Sequence, residues 1–127
     1  MFGLTHIKYQ PYHGKTDLVS VAPIPTTETD LIVVEGKFLR DASQLAIYYD
    51  FTKGSLDQAV LRIYFSHNEG TSWNQVPGID EDLTFLASFK GVYAFPIFPA
   101  DKMKITVQGT GTNTGSEMKI RVMSKTN

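Results

Sequence analysis

The sequence predicts an all-β protein: an antiparallel β-sandwich, jelly-roll-like or immunoglobulin-like, with an extended N-terminal arm. Three observations lead to this fold class. Short runs of β-forming residues recur along the chain, several of them alternate apolar and polar side chains, and glycine, proline and asparagine separate them. A chain of 127 residues fits one domain, which we place at residues 17–127 behind an arm of residues 1–16.

The arm has neither the period of a helix nor that of a strand. It contains apolar and aromatic side chains that a monomer would leave in water. We therefore expect it to dock on a neighbouring subunit through Phe2, Ile7, Tyr9 and Tyr12. The alternative is an arm that lies across its own sandwich.

The first strands are predicted by their apolar residues. Residues 31–34 are consecutive β-formers, which is typical of a buried strand. Two alternating strands follow, separated by a turn at residues 52–55, and a slip of one residue would turn their apolar side chains to solvent. Their inward-facing residues are Leu45, Ile47, Tyr49 and Phe51 in the first strand and Ala59, Leu61, Ile63 and Phe65 in the second.

The second half of the chain predicts further strands. Residues 80–89 fit a short helix or a strand, and we favour a strand because the surrounding segments are β. Residues 91–98 contain Pro96, which cannot donate a ladder hydrogen bond, so we place them at a sheet edge or a bulge. We expect the last two strands to pair with each other around a mobile, exposed loop at residues 109–116. Their inward-facing residues are Met103, Ile105, Val107, Met118, Ile120 and Val122.

A turn motif follows the clearest strand. Its spacing is that of an Asp-box turn, S-x-D-x-G-x-T-W, with Asn in place of the usual Asp. In such a turn a Ser or Asx side chain bonds backbone amides, the glycine adopts a positive φ, and the tryptophan anchors the return strand in the core. The motif predicts a hairpin and not an active site. It comprises Ser66, Asn68, Gly70, Ser72 and Trp73.

Composition argues against several classes of function. The net charge of −1 lacks the basic excess of proteins that bind nucleic acid or anionic membranes. No apolar run has the length of a membrane span, and the first residues lack the layout of a signal peptide. Because the chain has no cysteine, it has no disulfide, thiolate metal site or thiol nucleophile.

The remaining ionisable residues do not form a predicted site. His6 and His13 lack a metal-ligand spacing, and the adjacent Ser66 and His67 point to opposite faces of a strand. The acidic residues 80–82 lack the alternate spacing of a Ca²⁺ loop. The sequence therefore predicts no catalytic, cofactor or metal site, and a protein that is not an enzyme.

Outward aromatic side chains are the better candidates for a binding surface. We expect Tyr48 and Tyr64 to lie on neighbouring strands, and Tyr93 with Phe95 to form a second exposed pair. Such side chains stack on sugar rings or become buried against another copy of the protein. Packing beneath the arm or against the second sheet is the alternative for each of them.

From residue 31 to residue 123 the order of motifs resembles a loose group of small virion proteins of tailed bacteriophages. The resemblance rests on D-x-S/A-Q-L-x-x-x-Y-x-x-T-K-G at residues 41–54, F-S-x-D/N-x-G-T-x-W at residues 65–73 and G-T-G-x-x-T-G-S at residues 109–116. It implies a structural virion protein that is assembled in the host cytoplasm. A head decoration or auxiliary capsid protein is the role that it favours.

The expected partners follow from this resemblance. They are the major capsid protein or other virion proteins, together with further copies of the chain, a trimer at a quasi-threefold site being favoured. No nucleic acid, membrane or cofactor is expected. The alternatives are a tail or baseplate component of the same fold, and a carbohydrate-binding module that uses the outward tyrosines and the loop at residues 109–116.

Overall fold

A computed structural model describes residues 14–39, 42–75, 82–96 and 100–125 of the chain. Nine strands and a single turn of helix are formed by these residues, which confirms the all-β fold class. In chain order the elements are β1 (Gly14–Lys15), β2 (Val19–Val21), β3 (Thr29–Glu35), α1 (Gly36–Leu39), β4 (Gln44–Thr52), β5 (Leu56–Ser66), β6 (Leu83–Phe85), β7 (Phe89–Pro96), β8 (Lys102–Gly111) and β9 (Glu117–Lys125).

The strands form two antiparallel sheets. In the five-stranded sheet the order is β1-β9-β4-β7, and β2 pairs with β9 on the same side as β1. In the four-stranded sheet the order is β3-β8-β5-β6. Between β2 and β9, every connection except that from β5 to β6 passes from one sheet to the other. This strand order is that of a jelly roll, one of the two sandwich topologies that the sequence allowed.

The prediction that the last two strands pair with each other is wrong. β8 lies between β3 and β5 in the four-stranded sheet, whereas β9 lies beside β4 in the five-stranded sheet. Two successive strands that face each other across a core have the same inward alternation as two that pair in one sheet. The pattern therefore determines which face is buried and leaves the choice of sheet open.

The core lies between the two sheets. Nearly all the predicted inward-facing residues of β4, β5, β8 and β9 are buried, and Tyr49 is half-buried against the same core. Full burial of an aliphatic or aromatic side chain contributes about 1.5–3 kcal/mol. The register of these strands is fixed by this burial, because a one-residue slip would expose each set.

The connection from β8 to β9 is held against the sandwich by hydrogen bonds. Ser116 is buried, and its Oγ accepts a hydrogen bond from the Ile24 amide (2.9 Å) and donates one to the Asn113 carbonyl (2.7 Å). The Asn113 amide group donates to the Ile24 carbonyl (2.8 Å). The prediction of an exposed loop is therefore wrong for Ser116, and also for the buried Gly109 in β8.

Two predictions about the middle of the chain are confirmed. Residues 83–85 form a strand and not a helix. β7 lies at the edge of the five-stranded sheet, as the proline at its end predicted. The helix α1 has four residues, and no helix in the described ranges has the length and hydropathy needed to cross a membrane.

The predicted arm is described only at its C-terminal end. Gly14 and Lys15 pair with Ser124 and Met123 of β9, so these two residues belong to the five-stranded sheet. The Thr16 amide donates a hydrogen bond to the Val122 carbonyl (2.9 Å). The proposed contact residues Phe2, Ile7, Tyr9 and Tyr12 lie outside the described residues.

Candidate functional site

The outer face of the four-stranded sheet has a polar cluster centred on Glu28, which precedes β3. Its Oε2 accepts hydrogen bonds from the Tyr64 hydroxyl of β5 (2.5 Å) and from the Thr106 hydroxyl of β8 (2.6 Å). Arg62 Nη1 lies 3.6 Å from Glu28 Oε1. One carboxylate thus joins the start of β3 to the two central strands of the sheet.

Arg62 extends this cluster towards β6. Its Nε donates a hydrogen bond to Asp82 Oδ2 (3.1 Å), and its Nη1 donates to Gln108 Oε1 of β8 (2.9 Å). Asp82 Oδ1 accepts a further hydrogen bond from Gln75 Nε2 (3.1 Å). We call this cluster the Glu28 network; its members are Glu28, Arg62, Tyr64, Gln75, Asp82, Thr106 and Gln108.

The surroundings of Glu28 and Tyr64 shift their pKa values in opposite directions. The hydrogen bonds from Thr106 and Tyr64 lower the pKa of Glu28 below its usual value of 4.5. Desolvation by burial, followed by the hydrogen bond to Glu28, raises the pKa of Tyr64 to about 12. At neutral pH the tyrosine is therefore a hydrogen-bond donor and the glutamate a charged acceptor.

Lys104 of β8 lies beside the network and contacts two aromatic rings. Its Nζ is 4.8 Å from the centre of the Trp73 ring and 5.5 Å from that of Tyr64. The same ammonium group forms an ion pair with Asp30 Oδ1 at 3.1 Å. A cation over an aromatic face is favourable by about 0.5–1 kcal/mol at an exposed site. A sugar ring that stacked on the same face of Trp73 or Tyr64 would have to displace this lysine.

The turn after β5 is closed by its own side chains. Ser66 Oγ accepts a hydrogen bond from the Gly70 amide (2.8 Å), and Asn68 Oδ1 accepts one from the Ser72 amide (2.9 Å). Asn68 Nδ2 donates to Ser72 Oγ (2.9 Å), and Gly70 has a φ of 90°. These side chains are engaged within the turn. The assignment of the turn as an Asp-box stays a prediction.

Trp73 differs from the expectation that it anchors a return strand in the core. Its ring is half-buried and packs against Lys104, which faces outward from β8. Within the described residues the returning chain makes one isolated bridge, in which Asn74 and Phe65 exchange two backbone hydrogen bonds of 2.9 Å. Trp73 therefore covers the outer surface of the sheet near the turn.

The three tyrosines proposed as a surface do not come together. Tyr64 lies on the four-stranded sheet, whereas Tyr48 lies on the other sheet, paired with Arg121 of β9 and Val92 of β7. The prediction that their strands are neighbours is wrong, for the same reason as for the last two strands. Tyr93 also differs, because it packs against the core and stacks on the buried Phe95 with a centroid separation of 5.7 Å.

The candidate metal and nucleophile residues that the sequence offered do not form a site in the described part of the chain. Groups of three or more His, Asp or Glu side chains that could hold a metal ion are absent from these ranges. The Ser66 side chain is buried in the turn, whereas the adjacent His67 is exposed. His6, His13, Asp80 and Glu81 lie outside the described residues.

The sequence analysis did not identify Glu28, which lies in the polar segment before β3. A usable signal was present: Arg62 and Lys104 alternate with the predicted inward-facing residues of long strands, so they face outward, where an acidic residue from a nearby segment can pair with them. Glu28 and Asp30, which flank the start of β3, are those partners. To predict that these acids pair with cations of β5 and β8, one needs the strand order, which cannot be read from the sequence.

The sequence matches no protein-family model and no curated protein. The fold is similar to solved structures of low identity. One is of Bacillus endospore appendages, which form disulfide-linked pili (TM-score 0.53, 11% identity, 90% of this chain and 87% of that one). A second is the SPBc2 prophage-derived protein YomS (TM-score 0.52, 12% identity, 88% and 94%). A third is described as CBM4 (TM-score 0.50, 10% identity, 92% and 81%). These similarities support the β-sandwich fold.

Proposed function

We propose that the protein is a non-enzymatic structural component of a bacteriophage virion, a head decoration protein that binds and stabilises the capsid lattice. It acts as a homo-oligomer, and a trimer suits a quasi-threefold lattice site. Its partners are the major capsid protein or other virion proteins. The same fold would also suit a tail or baseplate component, which is the alternative form of this proposal.

The observation that carries the proposal is the similarity to YomS over nearly the full length of both chains. The two proteins share a single sandwich of comparable size, with 88% of this chain and 94% of YomS covered. YomS is prophage-derived by its description, which agrees with the phage motifs in the sequence of the present chain. The appendage structure adds a second case in which such a sandwich belongs to a protein assembly.

The physical character of the sandwich also supports a structural role. Its core is made of buried side chains from both sheets, and the charged groups of the Glu28 network bind one another. A rigid block of this kind needs only modest affinity for each lattice site. When several copies are joined, the second and later contacts form at high effective concentration and the occupancy becomes long-lived.

The arm gives the sharpest test of the proposal. Deletion of residues 2–13 leaves Gly14 and its pairing with Ser124 in place, so the sandwich should remain folded. We expect the truncated protein to keep its thermal unfolding transition and to lose the arm-dependent trimer and the binding to heads that contain the major capsid protein of the same phage. Size-exclusion chromatography with light scattering and co-sedimentation with heads measure the two properties.

A full-length variant with Phe2, Ile7, Tyr9 and Tyr12 replaced by serine separates the side chains from the length of the arm. Its control is Val33→Ser, which changes an exposed side chain of β3 and leaves the arm unchanged. Unchanged oligomers and unchanged head binding in the arm variants would contradict the proposal. The position of the gene beside capsid genes or among tail genes separates the head role from the tail role.

A carbohydrate-binding module is the second candidate. It is supported by the similarity to CBM4 and by Tyr48, a half-buried aromatic on the outer face of the five-stranded sheet. A glycan array tests it directly. Specific binding that is lost in Tyr48→Ala would favour the module, whereas an array without signal would leave the virion proposal as the better account.

A further inference from the structure

The strand β7 has the properties of a contact site. It pairs with β4 along one side, from Phe89 opposite Phe51 to Pro96 opposite Gln44. Along its other side no strand pairs with it within the part of the chain that the structure describes. Three of the five large hydrophobic side chains that are exposed in this part lie on β7 or just before it: Leu86 (66%), Phe89 (58%) and Val92 (54%).

The other sheet edges have features that hinder pairing with a second chain. β3 carries Asp30 and Glu35 and has an irregular register between Asp30 and Ile32. β6 has three residues, and β1 and β2 have two and three. Short strands, charges and bulges are the usual means of protecting an edge. β7 has eight residues and a single charged side chain, Lys90.

We propose that β7 is the docking edge for a second copy of this chain, which pairs antiparallel to it about a twofold axis at Val92. The two five-stranded sheets then form one continuous sheet across the dimer. This contact is separate from the arm and does not depend on the virion role. On a capsid it would link neighbouring oligomers.

The register of this pairing follows from the residues of β7. A twofold axis perpendicular to the sheet keeps inward-facing side chains opposite inward-facing ones, so only every second register is allowed. An axis at Val92 places the two exposed valines opposite each other, and Lys90 opposite the exposed Ala94 of the second copy. On the inner face it places Gly91 opposite Tyr93, and Phe89 opposite Phe95.

This register is electrostatically favourable and brings aromatic side chains together. Tyr93 of one copy lies opposite Gly91 of the other, which is already covered by the Tyr49 and Phe89 side chains, so the tyrosine would pack against aromatic rings. The two Lys90 ammonium groups attach four residues apart along the pair, about 14 Å, which exceeds the screening length at physiological salt. An axis at Tyr93 would instead bring Pro96, which has no N–H, into the ladder opposite Lys90.

A cysteine cross-link tests the register, since the chain has no cysteine of its own. Opposed residues of an antiparallel pair have Cα atoms about 4.5–5.5 Å apart, within the range of a disulfide. We expect Val92→Cys to form a covalent dimer under mild oxidation, in the full chain and also in the variant that lacks residues 2–13. The control Val33→Cys, exposed on β3, should remain uncross-linked under the same conditions.

The reversible contact is tested by Val92→Lys, which places two like charges directly opposite each other. In the variant that lacks residues 2–13, sedimentation velocity over a concentration series should show a dimer, which is lost when Val92→Lys is added and retained when Val33→Lys is added. Circular dichroism confirms that both variants are folded. A Val92→Cys protein that forms no more dimer than Val33→Cys, or association that Val92→Lys leaves unchanged, would overturn the proposal.

Discussion

Glu28 shows how one carboxylate connects parts of the chain that are distant in sequence. It lies before the first strand of its sheet and accepts hydrogen bonds from Tyr64 and Thr106, which are 36 and 78 residues away. Both donors are neutral, and the nearby Arg62 adds a positive charge. A hydrogen bond to a charged group contributes more than one between neutral groups. The Glu28 network therefore stabilises the order β3-β8-β5 as well as the outer surface.

We predict that Glu28→Gln destabilises the protein by about 1 kcal/mol at neutral pH, a value reduced for the partial exposure of the carboxylate. The lowered pKa of Glu28 means that its contribution is present above its usual value of 4.5 and is lost as the pH falls through the folded-state pKa. The difference between the two proteins should therefore shrink towards zero in acid. Urea unfolding at pH 7 and at about pH 3 measures it.

Glu35→Gln is the control for this prediction. Glu35 also lies close to a lysine of β8, since its Oε2 is 3.6 Å from Lys102 Nζ. The Glu35 side chain, however, is 66% exposed. An exposed ion pair of this kind contributes less than about 1 kcal/mol. If the two substitutions had equal effects at neutral pH, the special role of the Glu28 network would be disproved.

At the scale of the elements, the sequence determined the faces of the strands and left their neighbours open. The inward residues of β5, such as Leu61 and Ile63, were predicted and are buried. The edge position of β7 was predicted from Pro96, because proline limits pairing locally. The pairing of β5 with β8 instead of β4 was not predictable, since both arrangements bury the same side chains.

The same reasoning explains why the proposed tyrosine surface failed. Tyr48 and Tyr64 both face outward, as their alternation predicts, but they face outward from different sheets. Tyr93 was predicted to be exposed with Phe95, but β7 is apolar on both faces, so its alternation carries no information about which face is buried. Only contacts between distant residues resolve such cases.

We predict that Ser116→Ala weakens the connection between β8 and β9. The buried hydroxyl accepts the hydrogen bond of the Ile24 amide, and its loss leaves that buried N–H without this partner, at a cost of about 1–3 kcal/mol. Thr112→Ala is the matched control, because Thr112 is exposed in the same connection. Chemical denaturation should show a clear loss for the first variant and a change within about 0.5 kcal/mol for the second. Equal values would mean that Ser116 does not hold the connection.

At the scale of the whole molecule, stability comes from the contact between the two sheets. The described strands supply side chains to one hydrophobic cluster, and residues from both sheets contribute to it. A sandwich of this kind unfolds as one cooperative unit, because neither sheet keeps a buried face without the other. Substitutions on the outer face and at the edge strands should therefore affect stability less than substitutions in the core.

The last prediction separates the core from the edges. Ile63 of β5 is fully buried opposite Ile105, so Ile63→Ala should cost about 2–5 kcal/mol through lost burial and a residual cavity. Val33 of the same sheet is 44% exposed on β3, and Val33→Ala should cost less than about 1 kcal/mol. Both variants should retain a single unfolding transition, followed by circular dichroism and by tryptophan fluorescence of Trp73. A biphasic curve for Ile63→Ala, or a cost no larger than that of Val33→Ala, would show that the sheets are stabilised independently of their shared core.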